Sequence, residues 1–368
     1  MKRLSLLKIP LILIAVGAVT FTAAWISVQQ PPVVDIADDS GLTVESESAV
    51  PLADPGIESA ANAETTAPTP LNSPHQRRGV YLTAHAAGNS NILTRTINSS
   101  LEFGYNALVI DVKDNSGTLA YASSVPLAQE IGAVLNRYDL KQMVETLHAK
   151  GIFFIARLVV FSDPKLANHL GSNDEWVLPT NATAVAYNLA VAEEVAAAGV
   201  DEIQFDYIRF PDEGKIGQDY QGRSQAVANF LQQARQRLGN KIHLSADVFG
   251  RTLWDWNPKG IDPVGQVLEL MAPSVDYLSP MIYPSHYELY FQDRPHEVVH
   301  RGMSVGIERG LPLRPYLQAF DMRIPASMSY TQYIREQIRA LQELGVRGYL
   351  WWNPRGDYSE LWAALAGR

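Results

Sequence analysis

Asp201-Glu-Ile-Gln-Phe-Asp-Tyr-Ile-Arg-Phe-Pro-Asp212 reads as a strand that runs into charged residues at its C-terminal end. A buried strand of a parallel sheet is ordinarily apolar throughout. Alternation places Ile203, Phe205 and Tyr207 on one face and Gln204, Asp206 and Ile208 on the other, so Asp206 points into whatever the second face encloses. Pro211 stops the strand. A carboxylate and Arg209 at the C-terminal end of a strand stand where a parallel α/β barrel carries its chemistry. The flanking Asp201, Glu202, Asp212 and Glu213 read as solvated.

Outward from this stretch, runs rich in β-branched and aromatic residues alternate with helical patterns from Arg77 onward. Eight strands are predicted: Gly79–Ala84, Ala107–Val112, Phe153–Val160, Glu202–Phe210, His243–Val248, Tyr277–Tyr283, Arg314–Ala319 and Gly348–Trp352. The clearest helices are Leu140–Ala149, Val185–Ala198, Ser224–Leu238, Glu297–Glu308 and Tyr330–Leu344, with Gly151, Gly199 and Gly345 placed to end three of them. The Ala86–Leu101 helix is weakly periodic. Eight β-then-α units, with no G-x-G-x-x-G turn and no phosphate-cradling loop, point to an α/β fold of the (β/α)8 TIM-barrel type rather than an open doubly wound sheet.

The N-terminus is of another kind. Met1-Lys-Arg and Lys8 precede an uncharged apolar run from Ile9 to Val28, about long enough to span a bilayer as a helix. The cleavage signal near Thr22-Ala23-Ala24 is weak, which favours an uncleaved signal anchor over residues 1–28. Residues 29–76 hold eight acidic residues and no Lys or Arg among Pro, Ala, Ser and Thr, the composition of a disordered tether. The expected location is the bacterial inner membrane, single-pass, with residues 77–368 in the periplasm or outside the cell. A net charge of −9 argues against nucleic acid as a partner, and the absence of cysteine excludes disulfides, thiolate metal sites and cysteine nucleophiles.

Polar residues at barrel strand ends face the substrate mouth. Strand 2 ends in Asp111, Lys113 and Asp114, strand 3 carries Arg157, strand 4 carries Asp206, Tyr207 and Arg209, and strand 5 carries Asp247. Strand 6 ends in Tyr283, His286 and Tyr287, strand 7 in Gln318 and strand 8 in Trp351, Trp352 and Asn353. Cleaving a glycosidic bond takes two carboxyl groups flanking it, one to protonate the leaving oxygen and one to attack or to activate water. Asp206 and Asp247 on adjacent strands are the expected pair, with Asp111 as alternative partner. Arg157, Lys113 and Arg209 would tune their charge, and Tyr207, Tyr283, Tyr287, Trp351 and Trp352 offer flat faces for sugar rings. Trp351 and Trp352 alternate faces, so at least one belongs to the core. Histidines are scattered and no H-E-x-x-H occurs, so no metal or cofactor is expected; a divalent ion on Asp111, Asp114, Asp206 and Asp247 is the rival chemistry.

Arg78-Gly-Val-Tyr-Leu-Thr-Ala, Val109-Ile-Asp-Val-Lys-Asp114, Ile155-Ala-Arg-Leu-Val-Val-Phe161, Gln204-Phe-Asp-Tyr-Ile-Arg-Phe-Pro211, Ser245-Ala-Asp-Val-Phe-Gly250 and Ser279-Pro-Met-Ile-Tyr-Pro-Ser-His-Tyr287 together resemble the putative glycoside hydrolase domain family of bacteria and archaea. The resemblance runs from about Arg77 to Asn353. It implies a barrel of the glycosidase superfamily, with Asp206 and Asp247 matching acidic residues at strands 4 and 5, and it supplies no substrate. The reading is a tethered glycoside hydrolase acting on a cell-envelope or extracellular polysaccharide. The alternatives are a catalytically silent carbohydrate-binding barrel and a metal-dependent hydrolase.

Overall fold

Eight strands pair in parallel, each with the next, and the last closes on the first: Arg78–Leu82 (β1), Ala107–Lys113 (β2), Phe153–Val159 (β3), Glu202–Asp206 (β4), His243–Phe249 (β5), Tyr277–Ile282 (β6), Tyr316–Gln318 (β7) and Tyr349–Trp352 (β8). This computed structural model describes residues 76–212, 219–254, 257–260 and 262–367. The expected anchor and all but the last residue of the expected tether lie outside them. Among the described residues no helix is long and apolar enough to cross a membrane.

Helices Ser90–Glu102, Leu140–His148, Ala182–Ala197, Tyr220–Leu238, Leu268–Met271, Pro295–Glu308 and Tyr330–Glu343 lie between successive strands, and Ser359–Ala366 follows β8. Local chemistry sets their ends. Asp139, Asn181 and Ser329 each accept a hydrogen bond from the backbone N–H three residues on, satisfying donors that the first turn leaves open. Gly151, Gly199 and Gly345 adopt positive φ just past three C-termini, as their spacing predicts. The weakly periodic first helix is in fact two, Ala84–Gly88 and Ser90–Glu102. The break falls at Asn89, whose side-chain oxygen accepts from the N–H groups of Asn91 and Ile92 and so starts a new helix.

Two apolar cores result. The larger lies between strands and helices and includes Ile203, Phe205 and Phe230, whose rings meet edge to face. A smaller one, with Val109, Ile155, Tyr316 and Leu350, fills the barrel interior. β4 contributes Glu202, Gln204 and Asp206 on its inner face, all buried. Glu202, expected to be solvated, instead receives Arg314 and the Ser245 hydroxyl, with Arg314 Nη1 2.8 Å from Oε2. Gln204 accepts from the Tyr316 hydroxyl at 2.6 Å. Asp201 is also engaged, accepting from Phe154 N at 2.7 Å, and Asp212 accepts two hydrogen bonds from Arg251. Glu213 lies outside the described residues.

The strand itself is shorter than predicted. Tyr207 has φ +50, a left-handed conformation that ends the alternation after Asp206. Ile208 therefore packs into the outer core rather than facing the interior.

Removing one member of a buried ion pair leaves the other uncompensated, at a cost of about 3–5 kcal/mol. Arg314→Met is expected to lower stability to urea by about that much, whereas adding Glu202→Leu should recover most of the loss. Equal stability of the single and double variants would contradict this account.

Candidate active site

The C-terminal end of the barrel gathers three carboxylates around one guanidinium. Arg157 on β3 donates through Nη1 to Asp111 Oδ1 on β2 at 2.6 Å. Through Nε and Nη2 it also grips Asp206 Oδ2 on β4, at 2.9 and 2.6 Å. Asp111 Oδ2 accepts from the Tyr81 hydroxyl at 2.6 Å, and Asp206 Oδ1 accepts from the Tyr207 N–H at 2.6 Å. All of these charged side chains are nearly sealed from solvent. Burial would lower the Arg157 pKa, but the Asp206 and Asp111 charges hold it well above its ordinary value. Burial pushes the Asp111 carboxyl up, against the pull of Arg157 and Tyr81.

Asp247 on β5 has a different environment. Its side chain is 1 % exposed, and its Oδ1 is buried with no hydrogen-bond partner. Burial first, and then the neighbouring Asp206 charge, raise its pKa well above the usual carboxylate range. One carboxylate is thus paired with a cation, while burial and that carboxylate's charge favour the neutral form of its neighbour on the next strand. That division of states is what an acid and a base need in order to coexist at one pH.

Aromatic rings surround this cluster. Trp352 stacks on Tyr81 with centroids 3.8 Å apart, and the Arg157 guanidinium lies 5.0 Å from the Trp352 ring. Tyr283 meets Phe320 and the exposed His286 edge to face at 5.3 and 5.5 Å. Trp351 faces outward, its indole N–H donating to the Tyr105 hydroxyl, and is the core member of the tryptophan pair. Arg209 sits half-buried between the rings of Trp176 and Phe249, 4.5 and 4.6 Å from their centroids, with Tyr207 at 5.3 Å.

Four residues expected at the mouth are engaged elsewhere. Lys113 is fully buried against Asp163 at 2.7 Å and Asn188 at 2.9 Å, on the outer side of the barrel wall. A register shift in the β2–β3 pairing between Asp111 and Lys113 breaks the alternation that would have aimed both inward. Asp114 accepts from Ser116 and Thr118 and shapes the turn after β2. Gln318 spends its amide on Ser285 N, Phe320 O and Met322 O. Asn353 likewise ties Ala319 O, Asp357 O and Arg355 N together. The Tyr287 hydroxyl is buried against Gly250, where an added Cβ would lie 2.4 Å from it and 2.6 Å from Met281 O.

Tyr81, Trp176 and Phe249 were not anticipated as site residues. Tyr81 could have been found by extending β1's alternation inward from Gly79. Trp176 stands in the loop after β3, where no period marks its direction. Among the described residues no group of three or more His, Asp or Glu is arranged to hold a metal ion; the cation between Asp111 and Asp206 is Arg157.

The pattern of a family described as a putative glycosyl hydrolase domain matches residues 79–358. Among solved structures, the chain is similar to a hypothetical protein from Ruminiclostridium thermocellum, with 31 % identity over 50 % of this chain and 98 % of that one and a TM-score of 0.42. It is similar to the PgaB (BpsB) glycoside hydrolase domain from Bordetella bronchiseptica at 14 % identity, covering 78 % and 97 % of the two chains, TM-score 0.61. A chitinase from Rhizomucor miehei follows at 13 % identity, 79 % and 99 % coverage and TM-score 0.52; these two likenesses are of fold. No curated protein matches the chain.

The raised pKa of Asp247 has a consequence for stability. Its neutral form stabilises the folded state fully below the ordinary carboxylate pKa, and that stability is lost as pH rises through the folded pKa. Asp247→Asn, which does not titrate, should therefore gain on the parent protein by about 1.4 kcal/mol per pH unit across that interval. Urea midpoints of both proteins against pH measure the gap; parallel curves would refute the buried neutral acid.

Proposed function

The chain belongs to this family of putative glycosyl hydrolase domains, and on that premise we propose that it cleaves glycosidic bonds of a cell-envelope or extracellular polysaccharide by paired-carboxylate catalysis. Asp247 is the general acid in this reading, giving its proton to the leaving glycosidic oxygen. Asp206 is the partner that attacks the anomeric carbon or takes a proton from water. The observation that carries the proposal is the pairing of an unpartnered, buried Asp247 with an arginine-bound Asp206 on the adjacent strand, at the same end of the barrel.

Each role follows from what the side chain already touches. Asp247 Oδ1 has no internal acceptor for a proton and no donor to stabilise a charge, so the neutral acid is the favoured resting form. Asp206 Oδ2 is occupied by two guanidinium N–H groups, while Oδ1 accepts a single backbone N–H and keeps a lone pair for chemistry. Arg157 is a positioning residue: it orients Asp206 and holds Asp111, the alternative partner, in the same network. Trp352 and Tyr283 would supply apolar faces for sugar rings beside the scissile bond. The apolar N-terminal run would hold the barrel at the inner membrane, facing the periplasm, near such a polymer.

Asp247→Asn and Asp206→Asn should each lower the rate of reducing-end release from a panel of envelope glycans by about 10²–10⁴-fold, with chelator present throughout. Activity of the parent protein should fall as pH rises through the Asp247 pKa, because the acid must be protonated to act. Release that survives in Asp206→Asn would remove it from the catalytic pair. Glycan retention without release by the parent would favour a binding barrel.

A further inference from the structure

Arg209 is a cation of the mouth that forms no ion pair among the described residues, where its hydrogen bond runs from Nη1 to the Phe210 carbonyl at 3.0 Å. Its other N–H donors meet no acceptor among the described residues and are not sealed from solvent. Among the described residues, the carboxylate that follows it in sequence, Asp212, is committed to Arg251, at 2.8 Å from Nη2 and 3.1 Å from Nη1. The rings of Trp176 and Phe249 both pack on the guanidinium, which restricts its orientation before any ligand arrives. Burial by those rings lowers the Arg209 pKa, a desolvation cost that an anion at its open edge would offset.

Arg209 lies three residues after Asp206, whose charge acts on it, and its ring partner Phe249 lies two residues after Asp247. A neutral glycan needs no desolvated cation there, and a hydrogen-bonding amide would serve a hydroxyl without the cost. We propose that the substrate is an acidic glycan and that Arg209 binds the carboxylate of a uronate-type sugar next to the cleaved linkage. The inference rests on the glycosidase reading of the same mouth and deepens it to a substrate class. A guanidinium fork matches the planar carboxylate in a bidentate pair, which makes Arg209 a specificity-determining residue.

The test uses the full chain on uronate-containing glycans and on the same glycans after reduction of their carboxyl groups to primary alcohols. The parent protein should favour the acidic form by about tenfold or more in kcat/KM, as expected for loss of a charge-assisted hydrogen bond. Arg209→Gln should abolish that ratio, and Arg209→Lys should keep part of it. The ratio is read within one protein, so a general loss of fold would not mimic the result. Retention of the same glycan pairs by Asp247→Asn is measured separately and reads recognition without catalysis. Selective retention of the acidic form, lost when Arg209→Gln is added, sustains the inference even if no release is seen. Equal handling of both forms, retention of neither, or selectivity only for phosphate- or sulfate-bearing glycans would overturn it.

Discussion

Arg157 holds the upper barrel together by serving two carboxylates from the strands on either side of its own. Three buried charges from β2, β3 and β4 meet within hydrogen-bond distance. Such a triad is costly to desolvate, and it persists only where the remaining lone pairs are satisfied. The Tyr81 hydroxyl and the Tyr207 N–H do this for Asp111 and Asp206. One cation facing two carboxylates also fixes the charge available to any third acid. Asp247 would add a further negative charge with no donor of its own, and burial first, then the Asp206 charge, raise its pKa against the pull of Arg157. The acid and base roles proposed for Asp247 and Asp206 would rest on this division of partners.

The inner face of β4 shows how stability and chemistry are separated along the barrel axis. Glu202 at the floor is closed off by Arg314 and Ser245, and Gln204 in the middle by Tyr316 and Ser279. Arg314 Nε lacks a partner, but the carboxylate and amide of these networks are engaged within the protein and leave little for a ligand. Asp206, at the top, is also partnered, but beside a neighbour whose oxygen is not. The left-handed Tyr207 then turns the chain out of the strand immediately after the last inward carboxylate.

Much of this was readable from residues alone, because barrel strands and helices leave periodic signatures. The eight strands, the inward direction of Asp206 and the glycines past three helices follow from alternation and cap chemistry. What alternation could not convey was its own interruption. The bulge after Asp111 sends Lys113 to Asp163, and the turn at Tyr207 sends Ile208 outward, each from a local backbone change without a composition mark. Glu202 misled for another reason: an acidic residue at a strand's start resembles a solvated end unless its partner is known. That partner, Arg314, is 112 residues away. Gln318 and Asn353 are polar at strand ends, as binding residues are, yet their hydrogen bonds are consumed by the loops they organise.

The mouth is asymmetric in a way that bears on how a sugar would lie in it. Charges come from β2 to β5, through Asp111, Arg157, Asp206, Arg209 and Asp247. Rings come mainly from the opposite arc, with Tyr81 and Trp352 stacked at the β8–β1 seam and Tyr283 and Phe320 beyond β6 and β7. A pyranose has apolar C–H faces and a polar edge of hydroxyls and substituents, so the arc of rings favours contact with a face and the charged arc with the edge. Both demands can be met at once only by a ring standing with its edge toward β4 and β5. In that pose the linkage oxygen would approach Asp247, the acid we propose, and an exocyclic carboxylate would approach Arg209. The same asymmetry leaves a neutral sugar little to offer the open edge of the Arg209 guanidinium.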